Sequence, residues 1–394
     1  MKKKMLAILL VLSVAAVSAG CSSAEGEAAG DKTAGQEEAD PSADAAETDG
    51  AEKTDDTAET EEASAVKDQI VAFIPGRPDS AFYDFANEGV QSYADEWGME
   101  VRYINDYPDT PEGQADAVRQ ALTQGVDAIC ISVADAGAVS EALQEAADIG
   151  VVVCTWESDA YPQDRSLMVA PGAPESIGRL IAEMGANALG KRGTDPGAEP
   201  VRYCWHYSAA ADKDQNFWQY EGERYIAETY PNWENIAPDN YYSGQDPQQA
   251  VSAGSALLEE HPDVDLILCN DPTALLGQLQ AADDAGLTGE EITITGLASP
   301  SSVREYYDKG LLYQWGLWDS QTLASIGCYA AAYLAAGNSV AVNDEVAVPG
   351  IGTYTVEANE RIETGAGTGE ENSGVLLFEE FLRFDDYNID DFDF

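Results

Sequence analysis

The chain has 394 residues, 72 of them acidic and 20 basic, for a formal charge of −52. The basic start contributes +3 and residues 22–67 contribute −12, which leaves −43 on residues 68–394; a surface of that sign repels nucleic-acid backbones and anionic lipid and excludes DNA binding. The six cysteines stand singly with no CxxC or histidine-paired spacing, so neither a metal site, a disulfide framework nor a cofactor is indicated.

At the start, Lys2, Lys3 and Lys4 precede an apolar run from Met5 to Val17, and Ser18-Ala19-Gly20 leads into Cys21. A basic start, a short apolar core and small residues before a cysteine read as a lipoprotein signal, cleaved after residue 20 with lipid added to Cys21, although Ser18 stands where such signals usually carry Leu. The run is too short for the ~20 residues of a membrane-spanning helix. Residues 21–67 then form an acidic tether: from 22 onward they hold fifteen acidic side chains and no aromatic one, too little apolar surface to offset chain entropy.

From residue 68, short β-rich runs alternate with amphipathic stretches, the pattern of βα units and a parallel sheet. Strands are expected at Gln69–Pro75, Met99–Asn105, Asp127–Ser132, Val151–Trp156 and Leu167–Ala170, each but the last followed by a helical pattern such as Pro111–Gln124. The series repeats with Val201–His206, Asn235–Tyr242, Val264–Cys269, Glu291–Leu297 and Leu312–Trp318, with helices such as Gln248–Glu260 and Thr273–Ala285 between them. So much βα pattern exceeds one hydrophobic core, and two Rossmann-like α/β lobes are the economical solution. Cys130, Cys154, Cys204 and Cys269 fall inside apolar runs and are expected to be core thiols.

Open parallel sheets bind ligands beyond the carboxyl ends of their strands. Those positions carry Arg77, Phe82 and Tyr83; Asp135; Trp156, Glu157 and Asp159; Asp214, Gln215 and Trp218; Asn270 and Asp271; and Trp318, Asp319 and Gln321. Carboxylates accept hydrogen bonds from vicinal hydroxyls, amides both donate and accept, and aromatic faces cover the C–H face of a sugar ring. Singly each has an ordinary structural use, Asp135 as a helix cap for instance; their convergence points to a site for a small sugar or polyol.

With Phe73-Ile74-Pro75, Thr155-Trp156-Glu157-Ser158-Asp159, Asp214-Gln215-Asn216 followed by Trp218, Gly296-Leu297-Ala298-Ser299-Pro300, Leu317-Trp318-Asp319 and Asn388-Ile389-Asp390-Asp391-Phe392-Asp393-Phe394, the chain resembles the sugar-receptor type of periplasmic binding protein, in the branch holding autoinducer-2 and rhamnose receptors. The resemblance covers nearly all of residues 68–394. It implies the type I fold, two lobes joined by a three-crossover hinge, with the cleft closing on ligand as the signal that the permease of an ABC importer reads. It puts the N-terminal lobe at 68–171 with a return segment at about 318–345, and the C-terminal lobe at 172–317 with about 346–394. It also implies ligand contact for Glu157, usually Asp in relatives, and for Asp214 and Gln215.

Relatives that bind autoinducer-2 carry Lys directly after Phe-Ile-Pro, where this chain has Gly76-Arg77, and Pro-Asp-Ala where it has Asn270-Asp271-Pro272. A sugar is therefore expected to bind better than autoinducer-2, with Arg77 as a substitute donor.

An enzyme is not expected: His206 and His261 are the sole histidines, no GxSxG or phosphate-binding glycine loop is present, and paired carboxylates such as Asp283-Asp284 point apart on a helix. The expected partners are the sugar, the permease subunits and the membrane through Cys21, for a monomer; a sensor that presents its closed form to a chemoreceptor or kinase is the alternative.

Overall fold

The computed structural model describes residues 65–210, 213–364 and 374–394, without the side chains of 213, 214, 363 and 364. The expected signal segment, Cys21 and the tether up to residue 64 lie outside these residues. Packing begins at Val66, which is fully buried against the first lobe, slightly before the expected boundary at 68.

The first lobe is built on β1 (Ile70–Ile74), β2 (Glu100–Tyr103), β3 (Ala128–Ile131), β4 (Val152–Trp156) and β5 (Leu167–Ala170), all parallel in the order β2-β1-β3-β4-β5. Every residue of β3 and β5 is buried, as expected of parallel strands covered on both faces. Between the strands run α1 (Ala81–Trp97), α2 (Pro111–Thr123) and α3 (Ala136–Asp148). Local chemistry sets their ends. The Thr110 hydroxyl accepts from the Gly113 N–H at α2, the Asp135 carboxylate accepts from the Ala138 N–H at α3, and Gly98 stops α1 in the left-handed region at φ 70°.

Contrary to the sequence reading, β5 is followed by a helix, α4 (Pro174–Lys191), which packs on the second sheet. That lobe contains β6 (Val201–Tyr207), α5 (Lys213–Thr229), β7 (Trp233–Asn235), β8 (Tyr241–Tyr242), α6 (Pro247–Glu260), β9 (Leu266–Cys269), α7 (Pro272–Asp284), β10 (Thr293–Gly296), α8 (Pro300–Asp308) and β11 (Trp315–Trp318). Its parallel sheet runs β10-β9-β6-β7, with β8 pairing farther along β6. The single strand expected over Asn235–Tyr242 is split in two, because Pro238 has no N–H to give a ladder. Gly178 of α4 lies flush on α5: a Cβ there would stand 2.4 Å from the Trp218 carbonyl oxygen.

After β11 the chain returns as α9 (Ser320–Ala335), which packs on α1 and the first sheet. Next come β12 (Glu345–Val348), β13 (Gly352–Glu357), the short α10 (Arg361–Thr364), β14 (Gly374–Leu377) and β15 (Phe381–Phe384). This corrects the expected lobe boundary. β14 pairs parallel to β5 and β13 and β12 extend the same sheet, so residues 345–377 belong with the first lobe, whereas β15 pairs antiparallel with β11 in the second. The antiparallel addition carries no βα rhythm. The chain crosses between lobes at Ala170–Pro174, Trp318–Ser320 and Leu377–Phe381. The Phe378 N–H bonds the Ala170 carbonyl at 3.0 Å, and Gly172 lies against Phe381 and the Phe378 carbonyl.

Arg165, buried beside this return, donates from Nε and Nη2 to Asp159 at 2.9 and 2.7 Å and from Nη1 to Asn359 Oδ1 and the Gly374 carbonyl, both at 2.9 Å. Asp159 thus serves the fold. Arg165→Ala is expected to cost about 3 kcal/mol in urea unfolding by leaving the Asp159 carboxylate uncompensated, and Asp159→Asn with Arg165→Met to recover part of the loss; equal stability of Arg165→Ala and the parent would refute this role.

Candidate functional site

A cavity of about 470 Å³ lies between the lobes, lined from the first lobe by the loops after β1 and β4 and the start of α1, from the second by α5, the loop after β8 and the segments that follow β9 and β10, and at the hinge by Pro171, Leu317 and Trp318. The carboxyl-end rule places it there in both sheets.

On the first-lobe side, Trp156 forms the layer beneath the cavity. It is fully buried, with Phe82 stacked on it at 6.2 Å and 12° and Tyr83 edge-on at 5.8 Å and 86°, and it supports the two lining rings without lining the space itself. Glu157 follows with φ 63°, a left-handed conformation uncommon outside glycine. Two backbone bonds hold it there, from the Glu157 N–H to Val169 O at 3.1 Å and from the Ser158 N–H to Trp156 O at 2.7 Å. Its Oε2 accepts from the Ser132 hydroxyl at 2.7 Å and the Tyr83 phenol at 3.4 Å. Burial lifts the Glu157 carboxyl above the usual range, against the hydrogen bonds from Ser132, Ser158 and Tyr83 that favour its charged form. Burial, and then the Glu157 charge, pushes the Tyr83 phenol up and keeps it a neutral donor.

Gly76 is explained by the same corner. A Cβ at residue 76 would stand 2.3 Å from the Tyr83 hydroxyl oxygen, so the phenol occupies the space that any side chain after Pro75 would need.

On the second-lobe side, Gln215 Oε1 accepts from the Ser208 hydroxyl and from Asn270 Nδ2 at 3.2 Å, while the Ser208 N–H bonds Asn270 Oδ1 at 3.1 Å. Asp271 caps α7, accepting from the Ala274 N–H at 2.5 Å, and still borders the cavity. Trp218 meets Trp318 edge-on at 6.4 Å.

Of the residues singled out in the sequence, Arg77, Phe82, Tyr83, Glu157, Gln215, Trp218, Asn270, Asp271 and Trp318 line the cavity together. Asp135 is not among the lining residues and caps α3. Asp319 caps α9 at the hinge, its Oδ1 accepting from the Gln321 and Thr322 N–H groups, and Gln321 bonds the Phe85 carbonyl at 3.1 Å. The Asp214 side chain lies outside the described residues. His206 is buried in the second lobe with Nδ1 2.9 Å from Gln278 Oε1, and burial lowers it to about 4.

Sequence reasoning missed Ser132, Gln245, Thr273, Ser299 and Ser302. Ser132 ends an expected strand, and that position was its one available signal; a serine announces no particular chemistry. Gln245, at φ 57° next to Gly244 at 60°, reaches the cavity through a backbone turn with no side-chain motif.

Residues 71–339 match the periplasmic binding protein domain family. The solved structure of LsrB from Clostridium saccharobutylicum in complex with AI-2 is 46% identical, with a TM-score of 0.70 over 82% of this chain and 100% of that one. The ribose import binding protein RbsB of Bacillus subtilis is 24% identical over 208 residues, 53% of this chain and 63% of that protein, so the match spans just under two thirds of its length. The D-ribose/D-allose-binding protein of Pseudomonas aeruginosa is 25% identical over 239 residues, 58% of this chain and 70% of its own. By the extent of the family match and by the 46% identity, this chain belongs to the periplasmic binding protein domain family.

Proposed function

We propose that this chain is the exported substrate-binding component of an ABC importer, and that it holds one small, uncharged sugar or sugar-like polyol between its lobes. The observation that carries the reading is the cavity itself, where the carboxylates of Glu157 and Asp271, the amides of Gln215, Gln245 and Asn270 and the rings of Phe82, Tyr83, Trp218 and Trp318 converge from two lobes and a hinge. Glu157 accepts from ligand hydroxyls through Oε1, the oxygen that Ser132 and Tyr83 do not use. Gln215 and Asn270 read further hydroxyls, and Phe82, Trp218 and Trp318 cover the ring. Asp214 joins them on the strength of the Asp-Gln motif, and Asp271 and Arg77 lie at the edge. The role needs binding and lobe closure and no bond chemistry.

A second reading, autoinducer-2 as ligand, is favoured by the 46% identity to the Clostridium saccharobutylicum protein in complex with AI-2. Against it stands the Tyr83 phenol filling the space of the lysine after Phe-Ile-Pro, which leaves one charged donor fewer.

A heat-scan panel of pentoses, hexoses, deoxyhexoses, polyols and autoinducer-2 separates these readings, because ligand at a hundred times its dissociation constant adds ~2.7 kcal/mol of stability. A monosaccharide is expected to give the largest shift and to shrink the radius of gyration in solution scattering. Micromolar autoinducer-2 with no binding of any monosaccharide would reverse the order.

Glu157→Gln is expected to weaken sugar binding by roughly one to two decades, the worth of a hydrogen bond to a charged group in a poorly hydrated cleft. The ligand-free melting temperature should stay unchanged. Because the parent carboxyl is raised, affinity should fall as pH drops into the acidic range sooner than an exposed carboxylate would dictate, and the variant should lose that slope.

The membrane tether through Cys21 is part of the same proposal, supported by the basic, apolar and small-residue order before it. Cys21→Ser is expected to abolish incorporation of a clickable fatty acid and release the protein from membranes; a variant that still takes label would refute lipid attachment there.

A further inference from the structure

The ligand cavity does not end at its sugar-sized space. Arg77, Gln245, Pro272, Thr273 and Leu276 also border a second hollow of about 390 Å³. Its remaining walls are Pro247, Val251, Gly277, Gln280 and Tyr306, from α6, α7 and α8. Among the described residues no carboxylate borders it, and the amide of Gln280 accepts from the Tyr306 hydroxyl at 2.9 Å, which leaves a largely apolar groove opening directly off the proposed sugar site.

Arg77 stands at the junction. It is exposed, and among the described residues it is the one arginine without a hydrogen bond or an ion pair, in a chain of formal charge −52 where cations are scarce. An anionic ligand group could use that cation, but a field of this sign opposes the approach of anions. An aromatic ring suits both walls: guanidinium stacks on a ring face, and the opposite side of the groove is apolar.

We propose that the site takes glycosides, with the sugar between the lobes and a flat, uncharged aryl aglycone in this groove under Arg77. The inference rests on the sugar-binding reading above and extends it to the substrate class. An apolar groove continuous with a polar cleft gains affinity from the aglycone's burial without any further polar contact.

Calorimetric titration with free sugar, methyl glycoside and p-nitrophenyl glycoside of L-arabinose, L-rhamnose, D-xylose and D-ribose tests it. For a sugar that binds, the p-nitrophenyl glycoside is expected to bind about tenfold or more tighter than its methyl glycoside. Val251→Trp, which fills the groove from outside the sugar space, should erase that difference while leaving the methyl glycoside's affinity unchanged; Arg77→Ala should reduce it. Equal affinity of the two glycosides in the parent protein overturns the proposal, as does a free sugar that binds while both its glycosides fail, and either result leaves the sugar site standing. The same holds if the gain survives Val251→Trp. Should Val251→Trp fail to fold, the parent comparison still decides. If no free sugar and no glycoside binds, the sugar reading falls and this inference with it.

Discussion

Phe378 donates its backbone N–H to Ala170, and Asp319 donates to Glu380 at 3.4 Å, so the three strands of chain that pass between the lobes are stitched together by their own backbones. The stitching satisfies polar groups that burial would otherwise leave unpaired. It also confines relative lobe motion to the dihedral angles of a few residues, the usual anatomy of a hinge. Pro171 and Trp318 belong both to these crossings and to the cavity wall, so whatever fills the cavity touches the crossing segments. A ligand that favours one arrangement of these contacts shifts the lobe equilibrium by its differential affinity, with no separate transmission path needed.

Around this hinge the scarce cations have structural duties. Arg165 ties the β4–β5 connection to β14, Arg361 pairs with Glu175 at the start of α4, and Arg383 of β15 pairs with Glu183 in α4. Ser176 adds a bond to Glu379 at 3.0 Å. These contacts anchor the returning segments to the helix that leaves the first crossing. The excess of carboxylates is carried elsewhere, mostly on exposed positions, where salt screens their mutual repulsion beyond about 8–10 Å.

The Glu157 corner shows how a strained backbone is kept. A non-glycine residue in the left-handed region costs on the order of 1–3 kcal/mol and persists only when its surroundings over-determine it. Here the two flanking backbone bonds fix the turn, and Ser132 and Tyr83 fix the carboxyl. Tyr83 in turn rests on Trp156 and needs Gly76 to be bare. The departure from the lysine of autoinducer-2 relatives is thus one end of a packing chain, and a single Gly76→Lys change would collide with the phenol before it could offer a donor.

Much of this was legible in the residues. The alternation of buried strands with amphipathic helices determined two α/β lobes, because short continuous apolar runs and period 3.6 burial are written locally, and the carboxyl-end rule located Phe82, Tyr83, Glu157, Gln215 and Trp318 at one cavity. Local logic left Asp135 open between capping and binding and offered Asp319 as a binding residue; in the assembled structure both carboxylates cap helices and neither is among the residues lining the cavity. The destination of residues 345–377 depended on which sheet had an unpaired edge, a property of the assembled lobe that no periodicity encodes. Trp156 against Trp318 makes the same point: both end strands, yet one is sealed beneath Phe82 and Tyr83 and the other borders the cavity. Sequence determined which residues stand at strand ends, since that follows from neighbours along the chain; tertiary structure alone decided which of them meet, since a cavity is made by residues far apart in sequence, as Tyr83, Glu157 and Gln215 are.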